Sequence, residues 1–192
     1  LAPLPLPSPT VLLDPGHGGE DPGLEVQGLA EKEVALDLAR RVAALLPGAR
    51  LTRQGDETLP LEARLALART ASVVVSLHMA RGREVRLYLP KDRTSPLAQS
   101  LPRLGDLPEE RARLLRAYAG DPARLALALE RAPAAPGFAV VKAEGPYART
   151  RVDGAAVLLE VGAERLGTEE ARALVAQAIA QGIRAYLEGG AP

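Results

Sequence analysis

Apolar residues along this chain come in two alternating patterns, short continuous runs and longer stripes at helical spacing. Thr10-Val11-Leu12-Leu13 is a short run that ends in the glycine-rich stretch Asp14-Pro15-Gly16-His17-Gly18-Gly19. From Glu31 the stripe Ala35, Leu38, Ala39, Val42, Leu45 and Leu46 predicts a helix. Glu31 and Glu33 lie in its first turn, where carboxylates suit the helix dipole, and Pro47-Gly48 ends it. A short strand is expected near Ala49–Thr52 and a helix near Leu61–Arg69. Ser72–Leu77 reads as a buried strand running straight into His78, and Glu84–Leu89 alternates like a half-exposed one. Further on, charges and prolines interrupt the pattern, with helices predicted near Pro108–Tyr118 and Pro122–Arg131. Strands resume at Phe138–Val141 and Ala155–Leu159. Thr168 then reads as an N-cap before the stripe Ala171, Leu174, Val175, Ala178, Ile179 and Ile183, which Gly189-Gly190 closes. Strands alternating with helices specify an α/β layer fold with a largely parallel sheet.

Composition narrows the function classes. A length of 192 residues suits one domain that buries roughly 70% of the unfolded chain's surface. The absence of cysteine excludes disulfide scaffolds, thiol catalysis and Cys-ligated metal. Lys+Arg and Asp+Glu balance at 24 each with no basic run, which argues against nucleic acid as a partner. No apolar run approaches the roughly 20 residues a membrane span needs. Residues 1–10 read as an extended Pro-rich tail or linker, of the kind left after a removed leader or an upstream domain.

The chain has two histidines, and both are expected immediately after apolar strands. Glu160 likewise follows Ala156-Val157-Leu158-Leu159. In open α/β sheets ligands and chemistry collect at the carboxyl ends of strands, so groups far apart in sequence converge there. Glu31, at the start of the helix returning from the first strand, can join them. Two imidazoles and a carboxylate form one of the few catalytic zinc sets a cysteine-free chain can build. Position alone also leaves the bland roles open: a hydrogen-bonding histidine, a first-turn helix carboxylate, a partnered strand-end glutamate. The glycine-rich stretch could instead cradle phosphate, but it lacks both the G-K-[ST] ending and the G-x-G-x-x-G spacing. Asp14 is expected to cap the tight turn, or else to orient a ligand imidazole.

Val11-Leu12-Leu13-Asp14-Pro15-Gly16-His17-Gly18-Gly19-Glu20-Asp21-Pro22-Gly23, followed by Gly28-Leu29-Ala30-Glu31-Lys32, resembles the opening of the zinc-dependent N-acetylmuramoyl-L-alanine amidases. Three later blocks are similar to that family in the same order: Leu51–Asp56 with Leu61 and Arg64, then Val75-Ser76-Leu77-His78, then Val157–Gly162. The resemblance implies a central, mainly parallel sheet flanked by helices on both faces in a single domain, residues 11–190. It also implies one zinc ion per chain held by His17, Glu31 and His78, with Glu160 as catalytic glutamate. By the same resemblance the substrate is peptidoglycan or its muropeptide fragments, cut at the amide between N-acetylmuramic acid and L-alanine. Zinc would polarise the carbonyl and activate water, and Glu160 would carry the proton to the leaving amine.

The chain departs from the family at Ala80, where an asparagine is usual, and at Ala163–Leu166. Residues 91–121 match it poorly and read as an insertion. A bacterial cell-envelope location follows from such a substrate, while no motif specifies an activating protein. Two other functions remain in view: a zinc peptidase cutting within the stem peptide, and a non-catalytic wall-binding domain.

Overall fold

Where β-branched and leucine residues run together, strands form. The computed structural model describes residues 8–90, 120–132, 140–144 and 152–189. The start of the tail, nearly all of the 91–121 stretch with its expected helix, and Phe138 lie outside the described residues. The elements are β1 (Val11–Pro15), β2 (Glu25–Val26), β3 (Leu29–Ala30), α1 (Glu31–Leu45), β4 (Arg50–Leu51), α2 (Leu61–Ala68), β5 (Val73–Ala80) and β6 (Val85–Leu89). They continue with α3 (Pro122–Arg131), β7 (Val140–Glu144), β8 (Ala155–Gly162) and α4 (Glu169–Leu187).

Six strands build one sheet in the order β4–β1–β5–β8–β6–β7. Every neighbouring pair is parallel except β8 with β6, which is antiparallel, so the sheet is mixed and mainly parallel as expected. Its connections explain where the helices sit. From β1 the chain steps outward to β4 through α1, then returns past β1 to β5 through α2. Right-handed crossovers in opposite directions place those two helices on opposite faces.

Period-2 alternation divides the strands between those faces. Val11 and Leu13, Val73 through Met79 at every second position, Val85 and Leu87, and Ala155 through Val161 at every second position point into the main core with α1, α3 and α4. Leu77, Leu87, Leu125 and Leu159 are essentially inaccessible there, and each such burial contributes about 1.5–3 kcal/mol. The opposite face carries a gradient along the strands. Leu12, Val74 and Ala156 begin it in a small apolar cluster under Ala68 and Ala71. Toward the carboxyl ends the same face becomes polar: Asp14 on β1, Ser76 and His78 on β5, Glu160 on β8.

The helix stripes need two corrections. Leu45 and Leu174 fit the spacing, yet they are 42% and 47% exposed. Both sit at the margins of their stripes, where rotation of 100° per residue carries the side chain out of the core. Thr168 caps α4 as expected, its hydroxyl accepting from Ala171 N.

Candidate metal centre

The glycine-rich loop leaves the carboxyl end of β1 and stays pinned to the sheet, Gly16 N donating to Leu77 O at 2.9 Å. It then turns sharply. His17 adopts φ +57°, a left-handed conformation that costs a non-glycine residue of order 1–3 kcal/mol. A two-way backbone bridge between Gly18 and Asp21 closes the turn. It brings the Asp21 carboxylate back onto the imidazole, with His17 Nδ1 2.7 Å from Asp21 Oδ2. A carboxylate only accepts, so Nδ1 is the donor in this contact, and the ring is turned with Nε2 toward Glu31. The bond to His17, then that from Gly23 N, holds the Asp21 carboxyl below the usual range.

Glu31 reaches the same point from the first position of α1. The segment before the helix includes a two-strand hairpin whose turn residues Gln27 and Gly28 both have positive φ, the signature of a tight primed turn. Its approach caps the helix by backbone alone: Leu24 O accepts from Glu31 N and Pro22 O from Lys32 N. In return Glu31 Oε2 accepts from Leu24 N at 2.8 Å, and Oε1 accepts from Met79 N at 3.0 Å. Burial alone would raise this carboxyl's pKa. The bonds from His78, Leu24 and Met79 outweigh it and hold the value at about 2, so Glu31 is an anion throughout the physiological range.

His78 completes the group from β5, its Nδ1 2.9 Å from Glu31 Oε1, while His17 Nε2 is 3.0 Å from that same oxygen. Two glycines make room for the rings. A Cβ on Gly16 would lie 2.4 Å from His78 Cε1, and one on Gly23 would lie 2.6 Å from His17 Cδ2. Ligand-type atoms of His17, Glu31 and His78 all fall within 4.8 Å of one another.

Glu160 stands beside this group rather than in it. In the parallel β5–β8 ladder His78 and Glu160 are register partners, so their side chains leave the same face on adjacent strands, about 4.8 Å apart in backbone spacing. The Tyr88 hydroxyl donates to Glu160 Oε2 at 2.9 Å. Burial, and then that bond to Glu160, push the Tyr88 pKa up, so the phenol stays protonated. A cleft of about 530 Å³ opens alongside, lined by His17, His78, Asp14, Ser76, Leu61 and Leu158 among others.

The four residues singled out in the sequence therefore sit at one edge of the sheet, three of them in mutual contact and the fourth next door. Neither His78 nor Glu160 follows its strand, however; β5 and β8 run two residues beyond each. Asp14 does neither of the jobs expected of it. Its carboxylate accepts from Thr52 Oγ1, Arg64 Nη1 and Ser76 Oγ at 2.6, 2.7 and 2.8 Å, tying β1 to β5 and to the segments that follow β4. Asp21, Arg53 and Arg64 were visible only as letters of the resembling blocks. Asp21 alone offered a local signal, a carboxylate four residues after a candidate ligand.

Chemically, the centre turns one nitrogen of each imidazole toward a single oxygen of an ionised carboxylate, His17 Nε2 at 3.0 Å and His78 Nδ1 at 2.9 Å. Two imidazole nitrogens with one carboxylate oxygen are an established donor set for a divalent cation.

Comparison with known proteins finds similarity to one group of enzymes. The family model described as N-acetylmuramoyl-L-alanine amidase matches residues 11–101. Over 107 residues the chain is 42% identical to the N-acetylmuramoyl-L-alanine amidase AmiC of Neisseria meningitidis, covering 48% of this chain and 26% of that protein. It is 44% identical over 75 residues to AmiA of Salmonella typhimurium, covering 35% and 26%. The matched stretch thus spans about a quarter of these curated relatives. Among solved structures, the amidase AmiC2 of Nostoc punctiforme superposes with a TM-score of 0.62 at 27% identity, covering 94% of this chain and 97% of that one. The chain is thus similar to N-acetylmuramoyl-L-alanine amidases, in sequence across residues 11–101 and in fold across nearly its whole length.

Proposed function

We propose that this chain hydrolyses the amide bond between N-acetylmuramic acid and L-alanine in peptidoglycan or its muropeptides, with one zinc ion held by His17, Glu31 and His78. One observation carries the proposal: His17 Nε2 and His78 Nδ1 converge on a single oxygen of Glu31 at 3.0 and 2.9 Å, with Glu160 in register beside His78. Zinc in such a set supplies a Lewis acid for the amide carbonyl and lowers the pKa of water toward neutrality.

The chain's own groups do the rest. Glu31 neutralises part of the cation's charge and stays ionised while doing so. Asp21 keeps the proton on His17 Nδ1, which reserves Nε2 for the metal. Glu160 takes the proton from the attacking water and delivers it to the leaving amine nitrogen. Tyr88 occupies Oε2 of that carboxylate, which leaves Oε1 to carry the proton. The apolar wall of the cleft shields these charges from bulk water and so strengthens each of them.

Such a substrate places the work in the cell envelope. No helix among the described residues is long and apolar enough to cross a membrane. Removing the metal tests the proposal. Dialysis against a strong chelator should abolish release of soluble products from purified sacculi, and one equivalent of zinc should restore it. Hydrolysis unchanged in fully metal-free protein would contradict the proposal, and a purely wall-binding domain would release nothing in either state.

A further inference from the structure

Three consecutive carbonyls of the glycine-rich loop, those of Pro15, Gly16 and His17, all accept from two guanidinium groups. Arg53 Nε donates to Pro15 O at 3.1 Å, and its Nη2 donates to Gly16 O and Lys32 O at 2.8 and 2.7 Å. Arg64 Nη1 donates to Pro15 O and to Asp14 Oδ1, both at 2.7 Å, and its Nη2 donates to His17 O at 2.5 Å. Arg53 is 1% exposed. Its side chain also packs where a Cβ on Gly18 would have to sit, 2.9 Å from Arg53 Nε.

Two cations placed this close repel each other, and burying them sacrifices hydration, so an ion cluster of this kind is weak as a device for stability. Its geometry serves something else. Backbone that turns through φ +57° at His17 directs successive carbonyls to one side, away from the strand ladder. There, only a planar, multi-donor group can satisfy them together. With those carbonyls fixed, the imidazole leaves the loop in the one direction that meets both Asp21 and Glu31.

We infer that Arg53 and Arg64 form a two-guanidinium clamp that positions His17 for metal binding. Neither arginine touches the ligand atoms; both act through the loop backbone. The inference rests on His17, Glu31 and His78 being the zinc site.

The test is zinc affinity, measured by competition with a chelating dye on the whole chain. Arg64→Lys keeps the charge but loses the fork, and Arg69→Ala removes an exposed arginine of the same region as control. Circular dichroism without metal should show both variants folded. Zinc affinity should fall about 10–100-fold in Arg64→Lys, the usual effect of removing an orienting partner, and stay parental in Arg69→Ala. The cobalt-substituted variant should show an altered visible spectrum, which a general loss of stability would not produce. If Arg64→Lys fails to fold, Asp14→Asn carries the same test, because it loosens Arg64 from its far side. A several-fold loss of zinc affinity is expected there. Parental affinity and an unchanged cobalt spectrum in a folded variant would overturn the clamp. A parent protein that binds no zinc would instead overturn the metal reading beneath it.

Discussion

Glu160→Gln is expected to lower turnover by roughly 10²–10⁴, the scale of general acid–base catalysis, while leaving zinc content and melting close to the parent's. The amide is isosteric with the carboxylate and still accepts from the Tyr88 hydroxyl, so the 2.9 Å contact across β6 and β8 survives the change. What it cannot do is take a proton from water at neutral pH. Since Glu160 lies in register with His78 but outside the group of mutually contacting ligand atoms, the metal should stay when the base is removed. Measuring zinc, melting and hydrolysis on one preparation separates the outcomes. Loss of zinc would make Glu160 a ligand, and a large drop in melting with a proportionate loss of activity would make it a structural strand-end residue. Parental hydrolysis with full zinc would refute the role.

His17→Ala and His78→Ala are each expected to abolish stoichiometric zinc and all hydrolysis. Either change leaves Glu31 with one imidazole, and two ligands hold zinc weakly. Glu31 itself stays anchored by Leu24 N and Met79 N, so the metal-free fold should persist. Thermal melting gives an independent readout. Ligand at about 1,000 times its dissociation constant stabilises a folded protein by about 4 kcal/mol, so zinc should raise the parent's melting temperature and leave that of either variant unmoved. Full zinc content in both variants would remove the assignment of the site.

Most of the frame was legible in the chain because it rests on burial. The runs at Val11–Leu13, Val73–Leu77 and Ala155–Leu159 have no alternative to a central strand, and Asp121-Pro122 starts α3 at the expected residue by capping it, Asp121 Oδ1 accepting from Arg124 N. The candidate group of His17, Glu31 and His78 was legible for a similar reason, since only two histidines exist and both lie near the carboxyl ends of strands. What escaped had no periodic signal. A hairpin of two-residue strands is too short to show alternation, yet it delivers Glu31 to the site. The clamp from Arg53 and Arg64 escaped because its acceptors are backbone carbonyls, which no residue type announces. Asp14 was misread because a carboxylate beside a turn looks local, whereas its partners Thr52, Arg64 and Ser76 are 38, 50 and 62 residues away. Strand ends were set too early at His78 and Glu160 because polar residues usually mark where burial stops, and here they continue the ladder on its polar face.

The most direct measurement is product analysis on a defined muropeptide, run with the zinc-loaded protein. The account predicts release of an intact stem peptide bearing a free N-terminal L-alanine, together with the unsubstituted muramic acid sugar, and neither product from metal-free protein. Fragments cut within the peptide, with L-alanine still bound to the sugar, would contradict it and identify a peptidase on the same scaffold.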